Sequence, residues 1–146
     1  MIRRRDFALG AAAAVLAPPA RAERPALDEM VRRITGGAAL RPGRVTLDVP
    51  PLVENGNAVP LAVAVDSPMS EADHVRAIHV VNEKIPQPQV ISAVLGPRAG
   101  RARLATRIKL ADSQKVAAIA EMSDGSFWGA TAEVVVTIAA CVEEVK

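Results

Sequence analysis

The chain has 146 residues, of which 50% are hydrophobic and 23% charged, so one domain of ordinary core content fits and a second has little room. Aromatic residues are only 2%, namely Phe7, Phe127 and Trp128 with no tyrosine. That excludes a stacking platform for single-stranded nucleic acid and an aromatic sugar-binding strip.

The formal charge of +2 is concentrated in the first residues. Arg3-Arg4-Arg5 precedes Asp6-Phe7-Ala8-Leu9, an Ala-rich apolar run to Ala17, Pro18-Pro19 and Ala20-Arg21-Ala22. A basic head, a short apolar stretch and a small-x-small cleavage site predict a secretory signal over residues 1–22. The apolar run is about ten residues, half of the roughly 20 needed to span a bilayer. No cysteine lies near the cleavage point, so no membrane anchor is expected. Arg4-Arg5-Asp6-Phe7 resembles the twin-arginine signal, which exports proteins already folded or already paired, and the expected location is the periplasm. Removing four arginines and one aspartate from 18 basic and 16 acidic residues leaves 14 and 15 over 124 residues. Without the basic leader, a nucleic-acid partner has no electrostatic support and none is expected.

The remainder reads as one domain over residues 23–138 and a C-terminal tail over 139–146. After Pro25, Leu27, Met30, Val31 and Ile34 fall on one face of a short helix, with Asp28 and Glu29 in its first turn and Arg32 and Arg33 in its last. Gly36-Gly37 ends it. From Arg44 the period drops to two. Arg44–Val49 is a strand stopped by Pro50-Pro51, and Glu54-Asn55-Gly56-Asn57 is a turn. Val59, Leu61, Val63 and Val65 then alternate with small residues. Strands follow at His74–Asn82, closed by Pro86-Gln87-Pro88, and at Val90–Leu95, closed by Gly96-Pro97. In Arg101–Leu110, Ala102, Leu104, Thr106, Ile108 and Leu110 are expected to face in. Lys115–Met122 and Trp128–Ala140 complete the set across the turn Ser123-Asp124-Gly125. The expected fold is all-β: an immunoglobulin-like antiparallel β-sandwich of about seven strands with a short N-terminal helix. It lacks the Cys–Trp–Cys core and the tyrosine corner of a true immunoglobulin domain.

Candidate chemistry is sparse. His74 and His79 are five apart, on opposite faces of an extended strand, and no second cysteine stands near them, so no metal site is expected. Ser67, Ser70 and Ser126 have no nucleophile-elbow context, and no Gly-rich phosphate loop or HExxH appears. No catalytic residue and no cofactor is expected. The Arg101/Arg103/Arg107/Lys109 stripe reads as a solvated face rather than an anion-binding one.

Cys141 is the only cysteine. In an exported chain it is a free thiol or links two molecules. Val134, Val136 and Ile138 are read as the in-facing residues of the last strand, which gives Cys141 the outward parity of Thr137 near a chain end. The thiolate is the reacting form, and Glu143 and Glu144 disfavour it by like-charge repulsion. That opposes unaided nucleophilic catalysis but not a thiol worked on by another protein's active site.

Several strings carry a resemblance. Val53-Glu54-Asn55-Gly56-Asn57, Val65-Asp66-Ser67-Pro68-Met69, Glu71-Ala72-Asp73-His74-Val75 and Ile78-His79 resemble the SoxY family, the sulfur carriers of the periplasmic thiosulfate-oxidising Sox system. So do Thr106-Arg107-Ile108, Leu110-Ala111-Asp112, the run Ala120-Glu121-Met122-Ser123-Asp124-Gly125-Ser126-Phe127-Trp128, Ala130-Thr131-Ala132-Glu133 and Val136-Thr137-Ile138. The likeness runs in order from about Asp28 to Cys141. It implies a sandwich that pairs with a SoxZ-like subunit as a heterodimer, and a C-terminal cysteine, here Cys141, that holds sulfur covalently. It also implies three visiting enzymes: a haem sulfur transferase, a sulfate-releasing hydrolase and a sulfane dehydrogenase. The carrier itself is then no enzyme.

The chain departs from the family at its end. Such carriers end in Gly-Gly-Cys-Gly-Gly, whereas this one reads Ala139-Ala140-Cys141-Val142-Glu143-Glu144-Val145-Lys146. Ala and β-branched Val restrict a backbone that glycine leaves free, and two carboxylates follow the thiol. Besides the carrier, the residues leave open a partner-binding module in which Cys141 is incidental, a disulfide between two Cys141 thiols, and a divergent carrier no longer serving thiosulfate oxidation.

Overall fold

The computed structural model describes residues 27–84 and 89–138. The signal segment, the Pro86-Gln87-Pro88 stop and the tail bearing Cys141 lie outside the described residues.

Helix α1, Leu27–Thr35, forms where the apolar stripe places it. Its acidic first turn and basic last turn oppose the helix dipole favourably. Gly36 and Gly37 adopt positive φ of 63° and 89°, and the Gly37 N–H reaches back to the Arg32 carbonyl at 3.2 Å, which closes the helix end.

Nine strands follow among the described residues: β1 Leu40–Pro42, β2 Val45–Asp48, β3 Leu52–Asn55, β4 Val59–Val65, β5 Val75–Asn82, β6 Gln89–Val94, β7 Ala102–Ile108, β8 Gln114–Met122 and β9 Phe127–Ile138. The seven longer-range antiparallel strands are those the sequence predicts, and they build an immunoglobulin-like sandwich. One sheet has the order β2-β4-β7; the other has the order β1-β9-β8-β5-β6, with β3 also on β9. The two additional strands, β1 and β3, both pair in parallel with β9.

Between the sheets, Val59, Val63, Ile78, Val80, Leu110, Val116, Met122 and Val134 are buried in one core. Strand β4 shows the pattern that alternation dictates, with Val59, Leu61, Val63 and Val65 in and the residues between them facing out. Strand β8 does not alternate, because both its faces are covered. Ala118 and Ala120 meet the inter-sheet core, while Ala117 and Ile119, with Val81, pack beneath Leu27 and Met30 of α1. The helix therefore caps the outer face of the larger sheet, whereas among the described residues no helix packs on the outer face of the β2-β4-β7 sheet.

Strand β7 alternates as expected, with Leu104 and Thr106 on its inner side and half-buried because β7 is an edge strand. Two readings need correction. Residues Leu52–Asn55, half of which look like the start of a turn, form β3; the turn begins at Asn55, whose Oδ1 accepts the Asn57 N–H at 2.9 Å. The in-facing parity of β9 holds at Val134 and Val136, but Ile138 is 65% exposed because the strand has outrun the core there.

Candidate functional site

Cys141, the proposed carrier residue, lies outside the described residues, and the strand that leads to it is described to Ile138. The site is therefore built from its root. Up to Val134, β9 is paired with β8 along one edge, and on the other edge β1 pairs with it from Phe127 to Gly129. The β8 register ends at Gln114↔Val134, so the last four residues of β9 need other partners.

They find them on both edges. On the far edge β3 takes over, with Leu52 opposite Val135, Val53 opposite Val136 and Asn55 opposite Ile138. The Val135 N–H donates to the Pro51 carbonyl at 2.9 Å, and the Gly56 N–H donates to the Ile138 carbonyl at 2.9 Å. On the near edge the Ser113 hydroxyl stands in for a strand: its Oγ accepts the Val136 N–H at 2.9 Å and donates to the Val136 carbonyl at 3.4 Å. The Thr137 hydroxyl adds a bond to the Glu54 carbonyl at 3.2 Å. Beside this root, Lys84 Nζ lies 2.8 Å from Asp112 Oδ2. That ammonium contact and the Ser113 N–H hold the Asp112 carboxyl below the usual carboxylate range.

The root is polar in its bonding and apolar on its surface. Leu52 is 61% exposed, Val135 46% and Ile138 65%. Sequence reasoning missed both features. Ser113 sits in a plain Asp-Ser turn, and Leu52 sits behind two prolines in a strand too short to show alternation.

The other predicted residues fall elsewhere. His74 stays in the loop before β5, with Nδ1 3.0 Å from the Ser70 carbonyl. His79 is on β5, facing the outer side of the larger sheet, with Nδ1 2.7 Å from Ser92 Oγ and Nε2 3.9 Å from Glu121 Oε2. The carboxylate is beyond hydrogen-bond range, so Ser92, His79 and Glu121 do not form a proton relay. Among the described residues no cluster of three or more His, Cys, Asp or Glu could hold a metal ion. Arg101, Arg103, Arg107 and Lys109 are exposed along β7 and its flanks. Beside them a shallow depression of about 540 Å³ on the bare outer face is lined by Asp48, Pro60, Ala62, Ala105 and Arg107. Its small side chains supply few convergent polar groups, unlike a small-molecule site. No described helix is long and apolar enough to cross a membrane.

At the opposite end of β9 two guanidinium groups lie against the indole of Trp128, Arg41 at 5.8 Å and Arg44 at 5.4 Å from the ring centroid. Its Nε1–H donates to Ser126 Oγ at 3.2 Å. Arg44 adopts a left-handed φ of 60°, and its Nε–H donates to the Asp66 carbonyl at 3.0 Å. This cluster fastens the β1–β2 turn to the sheet.

Comparison with known proteins places these features. The family model described as sulfur oxidation protein SoxY matches residues 31–141. Among solved structures, the sulfur carrier protein SoxY from Chlorobium limicola f thiosulfatophilum is similar at 24% identity and a TM-score of 0.64, over 77% of this chain and 96% of that one. A superoxide reductase (neelaredoxin) from Ignicoccus hospitalis shares the fold at 19% identity and a TM-score of 0.58, over 64% of this chain and 80% of that one. A putative superoxide reductase from Thermotoga maritima does so at 19% identity and a TM-score of 0.54, over 67% and 87%. No curated protein matches the chain in sequence.

Proposed function

The chain belongs to the SoxY family, and from that premise we propose that it is a periplasmic sulfur carrier that holds thiosulfate-derived intermediates covalently on Cys141. The observation that supports this most is the extent of the family match, which runs from Val31 to Cys141, the chain's only cysteine. The root of the tail adds to it: the final strand is bonded on one edge to Ile138 and on the other to Val136, a fixed base from which to present the thiol.

In the proposed cycle the Cys141 thiol and thiosulfate are joined through a new S–S bond, with two electrons passing to the haem sulfur transferase and the thiol proton to solvent. Water then attacks the terminal sulfonate sulfur on the hydrolase. The S–S bond to that sulfur breaks, sulfate leaves, two protons are released, and a persulfide stays on Cys141. The sulfane dehydrogenase oxidises the outer sulfur to a sulfonate with oxygen from three waters, accepting six electrons while six protons pass to solvent. The chain does none of these steps alone. Its own glutamates at 143 and 144 disfavour the thiolate, so activation falls to the visiting enzymes. A SoxZ-like subunit completes the heterodimer, and the twin-arginine signal carries the pair out folded.

The Ala139-Ala140-Cys141-Val142-Glu143-Glu144 end favours one variant of this reading, a divergent carrier whose enzymes have channels wide enough for valine and tolerant of two further negative charges. Replacing Cys141 by serine in the native host tests the carrier role. The variant is expected to pair and export normally and to lose sulfur oxidation outright; oxidation at the parent rate leaves Cys141 incidental.

A further inference from the structure

We propose that the apolar collar of Leu52, Val135 and Ile138 is the surface on which the visiting enzymes dock, each through an apolar channel mouth rimmed by lysine or arginine. The inference rests on Cys141 being the carrier residue, and it adds where the partner touches the folded domain.

The argument begins with covalent reach. Cys141 is the third residue after Ile138, so whatever conformation the chain takes, its Cα lies within about 11 Å of the Ile138 Cα. An enzyme that draws the thiol into a channel must therefore bring its own surface onto the end of β9. That end is where the described residues expose large apolar side chains together. Leu52 and Val135 are register neighbours on the outer face, at 61% and 46% exposure, and Ile138 projects from the other face at 65%. A strand end that is apolar on both faces suits a mouth that closes around it. The fourth exposed large apolar residue, Val94, sits on β6 at the far edge of the same sheet.

Charge selects the rim. Glu54 and Glu133 are exposed and share the outer face of Leu52 and Val135, with Lys115 opposite Glu133 offsetting one of the two charges, and the thiosulfonate itself is anionic. A cationic rim matches both. A second copy of this chain would set its glutamates against these, which disfavours a symmetric dimer through the collar.

The test uses the full heterodimer, charged chemically so that no loading enzyme is needed. The Cys141 thiol attacks tetrathionate, forming the thiosulfonate and expelling thiosulfate and a proton. Sulfate release by the hydrolase is then followed for the parent, for Leu52→Ser/Ile138→Ser and for Val94→Ser. Expected is a rise in KM of about tenfold or more for the collar variant with kcat unchanged, and parental values for Val94→Ser. Charging by tetrathionate, pairing and thermal unfolding should not change. A collar-variant KM within about twofold of the parent's overturns the proposal. So does an equal rise for Val94→Ser, loss of the SoxZ-like subunit on gel filtration, or a change in self-association. If the hydrolase releases no sulfate from the charged parent, the carrier reading itself fails and takes the collar with it.

Discussion

The two halves of β9 are built on opposite plans. From Phe127 to Val134 the strand is enclosed: β8 pairs with it throughout, β1 covers its other edge from Phe127 to Gly129, Leu40 and Phe127 pack with the cluster under α1, and two arginines lie against the Trp128 ring. From Val135 to Ile138 it has no core beneath its end, one short parallel strand on one edge and a single serine on the other. The first half stabilises the fold. The second holds a backbone in place while leaving the side chains of Val135 and Ile138 exposed, which is what the proposed presenting base requires. The contrast shows that rigidity and burial are separable: hydrogen bonds fix the strand end where the hydrophobic effect does not reach.

The comparison breaks first at Trp128. Trp128→Ala removes a half-buried indole and two cation–π contacts, and should lower unfolding free energy by about 3 kcal/mol in urea titrations. A loss under about 1 kcal/mol would mean the enclosed half is no more critical than the surface. Smaller and local is Ser113→Ala, which strips the Val136 N–H of its acceptor and should cost about 1 kcal/mol. Amide exchange should quicken at Val136 and stay slow at Val134, whose partner is the β8 ladder. Equal acceleration at both would deny that the two halves are independent.

Smallest is the pH response at the turn preceding the enclosed half. The Ser126 hydroxyl and N–H, with Arg41 and Arg44 nearby, hold the Asp124 carboxyl below the usual carboxylate range. A carboxyl depressed in the folded state contributes stability above its unfolded pKa and loses it as pH falls through the folded value. Asp124→Asn should therefore lower the melting temperature slightly at neutral pH, and the difference should vanish in acid. A difference that grows on acidification would contradict this assignment.

Much of the architecture was legible because burial on one face writes a period into the residues. β4 shows its alternation completely, and α1 shows its stripe, its charges and its glycine stop. Strands β1 and β3 left no such trace. At three and four residues, beside Pro42 and after Pro51, they are too short for a period, and their parallel pairing depends on residues some 80 positions away. The root of the site was hidden for the same reason. Ser113 acts on Val136 only because the turn before β8 is folded against it, and Ile138 follows the in-facing parity of its strand while the core ends beneath it. Cys141 stands out by its solitude in the sequence, and the family match ends on it.

The central claim is that Cys141 bears sulfur, and the mass of its peptide tests it most directly. Protein purified from its native host during growth on reduced sulfur should yield a Cys141 peptide carrying reductant-labile additions of sulfane sulfur or thiosulfonate. A thiol that stays unmodified under those conditions, or one found only joined to a second Cys141, would contradict the account.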